Sequence, residues 1–302
     1  MAARDSIRRA RPLLGTFVEI GVTGSIAGGA EAAIDAAFDA IAKVHRLMSF
    51  HDPESDVSRI NRAAPFSEVA VDPWTFQVLA AANELRHQSA GAFDVGVAPV
   101  LQRYGLLPAL DRENLTAGEI VSESPVSLLS EPLIKIGAVR AGIELGGIAK
   151  GFAVDRAVEV LRQYGQSSGV VNAGGDLFAF GPMAHPVHIR DPRDHRRTLC
   201  CVEIVNAALA SSGHLVDPIL GKGSVNSAII DPARNALVAG VAGATVRAPS
   251  CLIADALTKI VMIRGEAALP LLRRHQASAL FVTSSGEIST SPGWPDAIAA
   301  AA

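Results

Sequence analysis

Apolar positions fall first into a short strand-like run at residues 17–22, then into a helical repeat at Ile34, Phe38, Ile41, His45 and Met48. Positions three or four apart share one face of a helix, so the repeat predicts an amphipathic helix of about five turns. A second helix is expected over residues 73–89, opening at Pro73 with Asp72 as its N-cap. Short β-rich runs follow at 126–129, 133–136 and 143–145. Phe152, Val154, Ala157, Val158 and Leu161 then mark a third helix that stops at Gly165, a residue type suited to a C-cap. Beyond it, strands are expected at 170–172, 187–189, 200–205, 225–230 and 241–246, with a helix over about 253–262 and a hairpin around LFVTSSGEIS. Helices and strands do not alternate strictly. The pattern therefore predicts an α+β fold, with mixed or antiparallel sheets and flanking helices, rather than a doubly wound sheet. No linker or internal repeat breaks residues 1–302 into separate domains, and the alanine-rich tail after Trp294 is expected to be disordered.

Composition narrows the functional classes. Hydrophobic residues make up 49 % of the chain and aromatics only 5 %, so the core is built mainly from Ala, Val, Leu and Ile. A formal net charge of −3 without a basic stripe argues against a nucleic-acid partner. The cysteines, two of them adjacent at Cys200 and Cys201, form neither a disulfide framework nor a metal-ligand spacing and are expected to be small buried hydrophobes. No apolar run approaches the ~18 residues that cross a membrane. The N-terminal segment is basic, but its apolar part begins at Pro12 and carries Glu19, which reads as a strand and not as a signal peptide. A cytoplasmic protein with no membrane insertion is the expectation.

Three stretches carry candidate chemistry. IELGGIAKGFAVD, residues 143–155, places glycines and Lys150 where an apolar run turns into a helix. Glycines let backbone amides approach an anion and a helix N-terminus favours negative charge, yet the order is not that of a nucleotide P-loop, because Gly151 and Phe152 follow the lysine. VVNAGGDLFAFG sets Gly174 and Gly175 just before Asp176, about 25 residues on. In SCLIADALTKIVMI, helical spacing gathers Asp255, Thr258 and Lys259 on one side and Leu257, Ile260 and Val261 on the other. A carboxylate and a hydroxyl one turn apart are oxygen ligands suited to Mg²⁺; the competing reading is a plain i,i+4 Asp–Lys pair. His185 and His188 fall three apart on an expected strand and so face opposite sides.

Taken in order with LLGTFVEI, LMSFHDPESDVSRIN, GAFDVGVAP, ALASSG, IIDP and APSCLIADAL, these stretches resemble the ApbE family, the FAD:protein FMN transferases. The resemblance covers residues 13 to about 285. It implies one domain, with two lobes around a cleft for FAD, that moves FMN with Mg²⁺ onto a Ser or Thr hydroxyl of a target flavoprotein and releases AMP. It also implies a flavin side made of Leu14, Gly15, Thr16, His51, Ala92, Phe93, Asp94, Glu144, Lys150, Gly174, Gly175, Asp176 and Ile229. The metal corner it implies consists of the Gly147 carbonyl, Asp255 and Thr258, with Asp255 and Lys150 at the chemistry. Leu14 stands where the family usually has Met, His51 where it often has Tyr, and Glu144 where it usually has Asp. Two departures cut deeper. His-x-Ile-Asp-Pro-x-Thr-Gly becomes AIIDPARN, with Ala228 for His and Arg234-Asn235 for Thr-Gly, and a second metal-side Thr is Lys259. His214, just after Ser-Ser-Gly, is a candidate to replace the missing imidazole in part. Lys259 is expected to swing outward and leave Asp255 to the metal; the alternative is that it points inward and substitutes for the ion as a point charge. A flavin-binding protein without turnover, and a hydrolase that splits FAD to FMN and AMP, stay open beside the transferase.

Overall fold

In the computed structural model, which describes residues 6–23, 29–108, 124–137, 142–213, 215–216, 225–226 and 228–297, the run at 17–22 is the core of a strand, Thr16–Thr23. Val18, Ile20 and Val22 point inward at 0–1 % exposure while Phe17 stands 70 % exposed. That alternation is what a sheet covered on one face requires. The strand lies second in an eight-stranded sheet whose order is Ser6–Leu13, Thr16–Thr23, Gly169–Ala173, Asp176–Phe180, Ala207–Gly213, Val241–Ala248, Ser278–Thr283 and Ile288–Thr290. Every neighbouring pair is antiparallel. The expected α+β class with antiparallel sheets is the class observed.

The chain divides into two compact units. The first takes residues 1–45, 150–213 and 241–302 and holds the large sheet. The helix Cys251–Arg264 packs on the strands Ala207–Gly213 and Val241–Ala248. A hairpin, His185–Asp191 with Asp194–Ile204, closes a satellite core in which Ile189, Val202 and Ile204 meet Leu177, Ala179, Ala207 and Leu209. The helix Ala149–Gln163 ends as expected at Gly165, whose φ of 78° and amide bonds from Gly165 to Arg162 and from Gln166 to Leu161 make a Schellman cap. The second unit takes residues 46–149 and 214–240. It contains a three-stranded sheet, Glu68–Ala70, Leu133–Ile136 and Val126–Leu128, and the helices Asp56–Arg62, Pro73–Gln88 and Ala98–Arg103. Asp72 does cap Pro73–Gln88, its carboxylate taking the Trp74 amide at 2.9 Å.

Several expected boundaries shift. Residues 143–145 form no strand, and two of their amides are used elsewhere: Ile143 donates to the Asn61 carboxamide at 2.8 Å and Glu144 to the Val95 carbonyl at 2.8 Å. The strand expected at 225–230 is two separate short ladders, Leu215–Val216 with Val225–Asn226 and Ile230–Asp231 with Ala236–Leu237. The expected helix near 253–262 is longer at both ends, and its first turn, from Cys251, is capped by the Ser250 hydroxyl. Residues 295–297 of the tail carry no regular structure, and residues 298–302 lie outside the described residues. Among the described residues no helix is long and apolar enough to cross a membrane.

Candidate functional site

Both glycine turns of the first unit are two-residue hairpin loops, and the sheet sets them side by side. Leu14 and Gly15 join strands whose last pair is Leu13 with Thr16; Gly174 and Gly175 join strands closed by Ala173 and Asp176. All four loop residues have positive φ, from 55° at Leu14 to 105° at Gly175, as a type I′ turn requires. Leucine is strained there, and its amide is held by the His45 imidazole at 3.0 Å. A side chain on Gly174 would sit 2.6 Å from the Thr16 hydroxyl, so only glycine lets the two turns touch.

Asp176 follows the second turn and is 1 % exposed. Its Oδ2 accepts the Lys150 ammonium at 2.6 Å and its Oδ1 lies 3.4 Å from the Ser211 amide. Lys150 stands in the first turn of Ala149–Gln163 because Gly151 lets that helix run against the other: a Cβ on Gly151 would fall 2.2 Å from the Cys251 carbonyl oxygen. The Gly151 amide then donates to Asp255 Oδ2 at 3.0 Å. One turn on, the Asp155 carboxylate accepts the Cys251 and Leu252 amides at 2.8 and 2.9 Å and caps the Asp255 helix from outside. Burial pushes the Asp155 carboxyl up to about 6, against the pull of those two amides.

Asp255 and Thr258 are fully buried. The Lys259 ammonium donates to Asp255 Oδ1, completing an i,i+4 ion pair. The Thr258 hydroxyl donates to the Asp255 carbonyl at 2.6 Å and shares a hydrogen bond with Ser212 Oγ at 2.7 Å. Ser211 pairs in the same way with Thr245 at 2.9 Å. Burial alone would raise the Asp255 carboxyl, but the Lys259 and then the Lys150 charge hold it below the usual carboxylate range. Burial, and next the Asp255 charge, push Asp176 upward, with Lys150 opposing. Burial would lower Lys150, yet Asp176 and Asp255 together hold its ammonium charged well above the usual range. The result is a connected set of two acids and two lysines at one end of the sheet.

Here the structure corrects the sequence reading. Lys259 points inward to Asp255, with its side chain only 16 % exposed, instead of swinging out. The residues present do not fit a divalent ion as this pair stands: one Asp255 oxygen holds an ammonium, the other an amide, and the Thr258 hydroxyl is engaged by protein on both sides.

The remaining expected residues belong to the second unit. Ala92, Phe93 and Asp94 are buried, at 6 %, 4 % and 8 % exposure. Asp94 accepts Arg86 Nε at 2.7 Å and the Gly96 amide at 2.7 Å, so this carboxylate orders its own loop. His51 is exposed and meets Phe50 edge-on. Glu144 Oε1 accepts the Gly146 amide at 2.6 Å and so closes the turn that contains Gly147. Ile229 is buried, and its carbonyl takes the Val238 amide at 3.0 Å. Asn235, at φ 50°, occupies the turn position where the family pattern has Gly, and asparagine is among the few residues that tolerate it. That departure preserves the backbone, while Ala228 supplies no imidazole. His214 lies outside the described residues.

Ser211, Ser212, Thr245 and Asp155 join the cluster without being singled out by the sequence. Ser-Ser-Gly at the end of an apolar strand was the available signal for the first two. A carboxylate one helical turn after Gly151 was the signal for the last.

Comparisons with known proteins bear on the family and the fold. A family model described as the ApbE family matches residues 14–281. The chain is 24 % identical over 331 residues to the FAD:protein FMN transferase of Treponema pallidum, covering 96 % of this chain and 88 % of that protein. It is 27 % identical over 236 residues to the Vibrio cholerae protein of the same name, covering 74 % and 71 %. Among solved structures, the ApbE protein of Thermotoga maritima superimposes with a TM-score of 0.84 at 24 % identity, covering 95 % of this chain and 97 % of that one. The flavin transferase ApbE of Vibrio cholerae does so at 0.81 and 21 %, covering 96 % and 98 %.

Proposed function

The chain belongs to the ApbE family, and on that premise we propose that it is an FAD:protein FMN transferase. FAD is its substrate, and FMN passes to a Ser or Thr hydroxyl of a target flavoprotein. The acceptor oxygen forms a bond to the phosphorus on the FMN side of the pyrophosphate, the bond from that phosphorus to the bridging oxygen breaks, and AMP leaves. The hydroxyl proton is released in the same exchange.

The observation that carries the reading is the placement of Lys150. Its ammonium sits in the first turn of a helix, 2.6 Å from Asp176, beside the paired glycine loops. A fixed cation at a helix N-terminus, next to backbone free of side chains, suits the negative charge of a pyrophosphate and the added charge of its transition state. Asp176 holds the lysine in one rotamer, so little is lost in ordering it when substrate arrives. The cluster would also favour FAD over FMN, since the pyrophosphate exists only in the dinucleotide.

The test is to incubate the purified chain with FAD and a candidate flavoprotein and weigh the products. A target heavier by one FMN, with AMP released in equal amount, is expected. Ala228 favours one second reading, an acceptor side that uses water. AMP without a labelled target would select that hydrolase. Equal affinity for FMN and FAD in a fluorescence titration would reject the dinucleotide site.

A further inference from the structure

We propose that the Lys259 ammonium takes the place of a divalent cation in this chain, making the charge cluster complete without metal. The proposal rests on the family reading for the identity of the ion replaced, and on the geometry for everything else. Asp255 is 0 % exposed and gives one oxygen to Lys259 and the other to the Gly151 amide. Lys259 is held to this role by spacing: it lies four residues after Asp255 on the same helix, with its side chain only 16 % exposed. Lys150 and Asp176 form the second pair at 2.6 Å.

With both carboxylates ionised, two ammonium groups balance two negative charges, and no oxygen in the cluster is left facing an unmet charge. A divalent ion entering here would meet an ammonium on its principal carboxylate ligand and would find the hydroxyl of Thr258 committed to Ser212 and to the Asp255 carbonyl. Before the pyrophosphate arrives, it would add two positive charges to a set already neutral. Buried charges are stable only when paired, and Lys259 already supplies the pairing that a metal would otherwise give. An ammonium is a point charge with three donors and no coordination geometry. The chain therefore keeps electrostatic stabilisation of the phosphates and loses the template that would fix two oxygens on one ion.

Mn²⁺, as a spectroscopic probe for the divalent site, decides this without reference to turnover. Paramagnetic resonance of the full chain at millimolar Mn²⁺, with and without FAD, is expected to show no bound ion that Asp255→Asn removes. Lys259→Thr is expected to gain one such ion, and the double variant Lys259→Thr with Asp255→Asn to lose it again. In parallel, wild-type AMP release should be unchanged in EDTA, whereas that of Lys259→Thr should fall at least tenfold. An Asp255-dependent Mn²⁺ on the wild type, or wild-type turnover abolished by EDTA, would overturn the proposal. So would a folded Lys259→Thr that gains no ion. Should no transfer be seen under any condition, the flavin reading fails while the wild-type Mn²⁺ titration still settles the place of Lys259.

Discussion

At Lys150 the structure changes what a truncation is expected to cost. A lysine in the first turn of a helix has little core to support, and sequence alone suggests that Lys150→Ala would touch only ligand affinity. Its ammonium, however, is the partner of an Asp176 that is 1 % exposed. Removing it takes away the hydrogen-bonded counter-charge of a buried carboxylate and leaves only the more distant Lys259, and we expect Lys150→Ala to destabilise the chain by about 3 kcal/mol, near the low end for such losses because the lysine is partly solvated. Urea unfolding measures this, and adding Asp176→Asn should restore part of the loss; a cost below about 1 kcal/mol would mean solvent already screens the pair. On the folded fraction, FAD binding should weaken by a further ~1.5–3 kcal/mol, the range for a charge-assisted hydrogen bond. The individual residues were legible in the sequence because glycine, lysine and acid stand in recognisable runs. Their partnerships were not: Lys150 and Asp176 are 26 positions apart, and only the sheet brings them within bonding distance.

Between elements, the tightest restraint near the site is the crossing of Ala149–Gln163 with Cys251–Arg264 at Gly151. A methyl there meets the Cys251 carbonyl carbon and oxygen at 2.5 and 2.2 Å and Asp255 Cβ at 2.8 Å, all stiff parts of the neighbouring helix. Gly151→Ala must push the helices apart, at a cost of about 1–3 kcal/mol or more. It should also lengthen the Gly151–Asp255 hydrogen bond, so FAD affinity and melting temperature should fall together; an unchanged melting temperature would show that the helices have slack. A second element, the hairpin His185–Asp191 with Asp194–Ile204, carries its own pH dependence. Arg193 donates two side-chain hydrogen bonds and its amide to Asp191 and holds that carboxyl down at about 2. The folded value lies below the unfolded value of about 3.9, so the pair stabilises above that pH, and the stability is lost as pH falls toward 2. Asp191→Asn should therefore be less stable than wild type at neutral pH and converge with it near the acid end, as followed by circular dichroism. Ala30–Met48 was readable from its period and Pro73–Gln88 from its Asp72 cap and Pro73. The edge strand Ser6–Leu13 was not, because most of its residues are exposed and its Arg-Arg-Ala-Arg centre shows no alternation.

For the whole molecule, the class of fold was legible, and the points where the chain passes between its two units were not. Nothing in composition changes at residues 46, 150, 214 or 241, where the chain passes between its two units, since each unit draws on the same Ala, Val, Leu and Ile. The large sheet is assembled from three separate stretches of chain, and this has a consequence for the order in which the protein can be made. The strand Thr16–Thr23 finds its inner neighbour only at Gly169–Ala173, after more than a hundred intervening residues. Ala207–Gly213 has a partner on one side at once, Asp176–Phe180, but on the other side it waits for Val241–Ala248. Closing such long loops is entropically slow, each doubling of length adding about 0.6 kcal/mol. Until residue 241 has been synthesised, a growing chain presents Ala207–Gly213 as an open strand edge, the template on which nascent chains pair with one another. Ribosome-arrested chains ending before that residue should be cut readily by protease across residues 169–213, and those extended past residue 290 should resist. Protection appearing before Val241–Ala248 is present would show that the sheet can close without this strand, and that synthesis passes through no exposed stage.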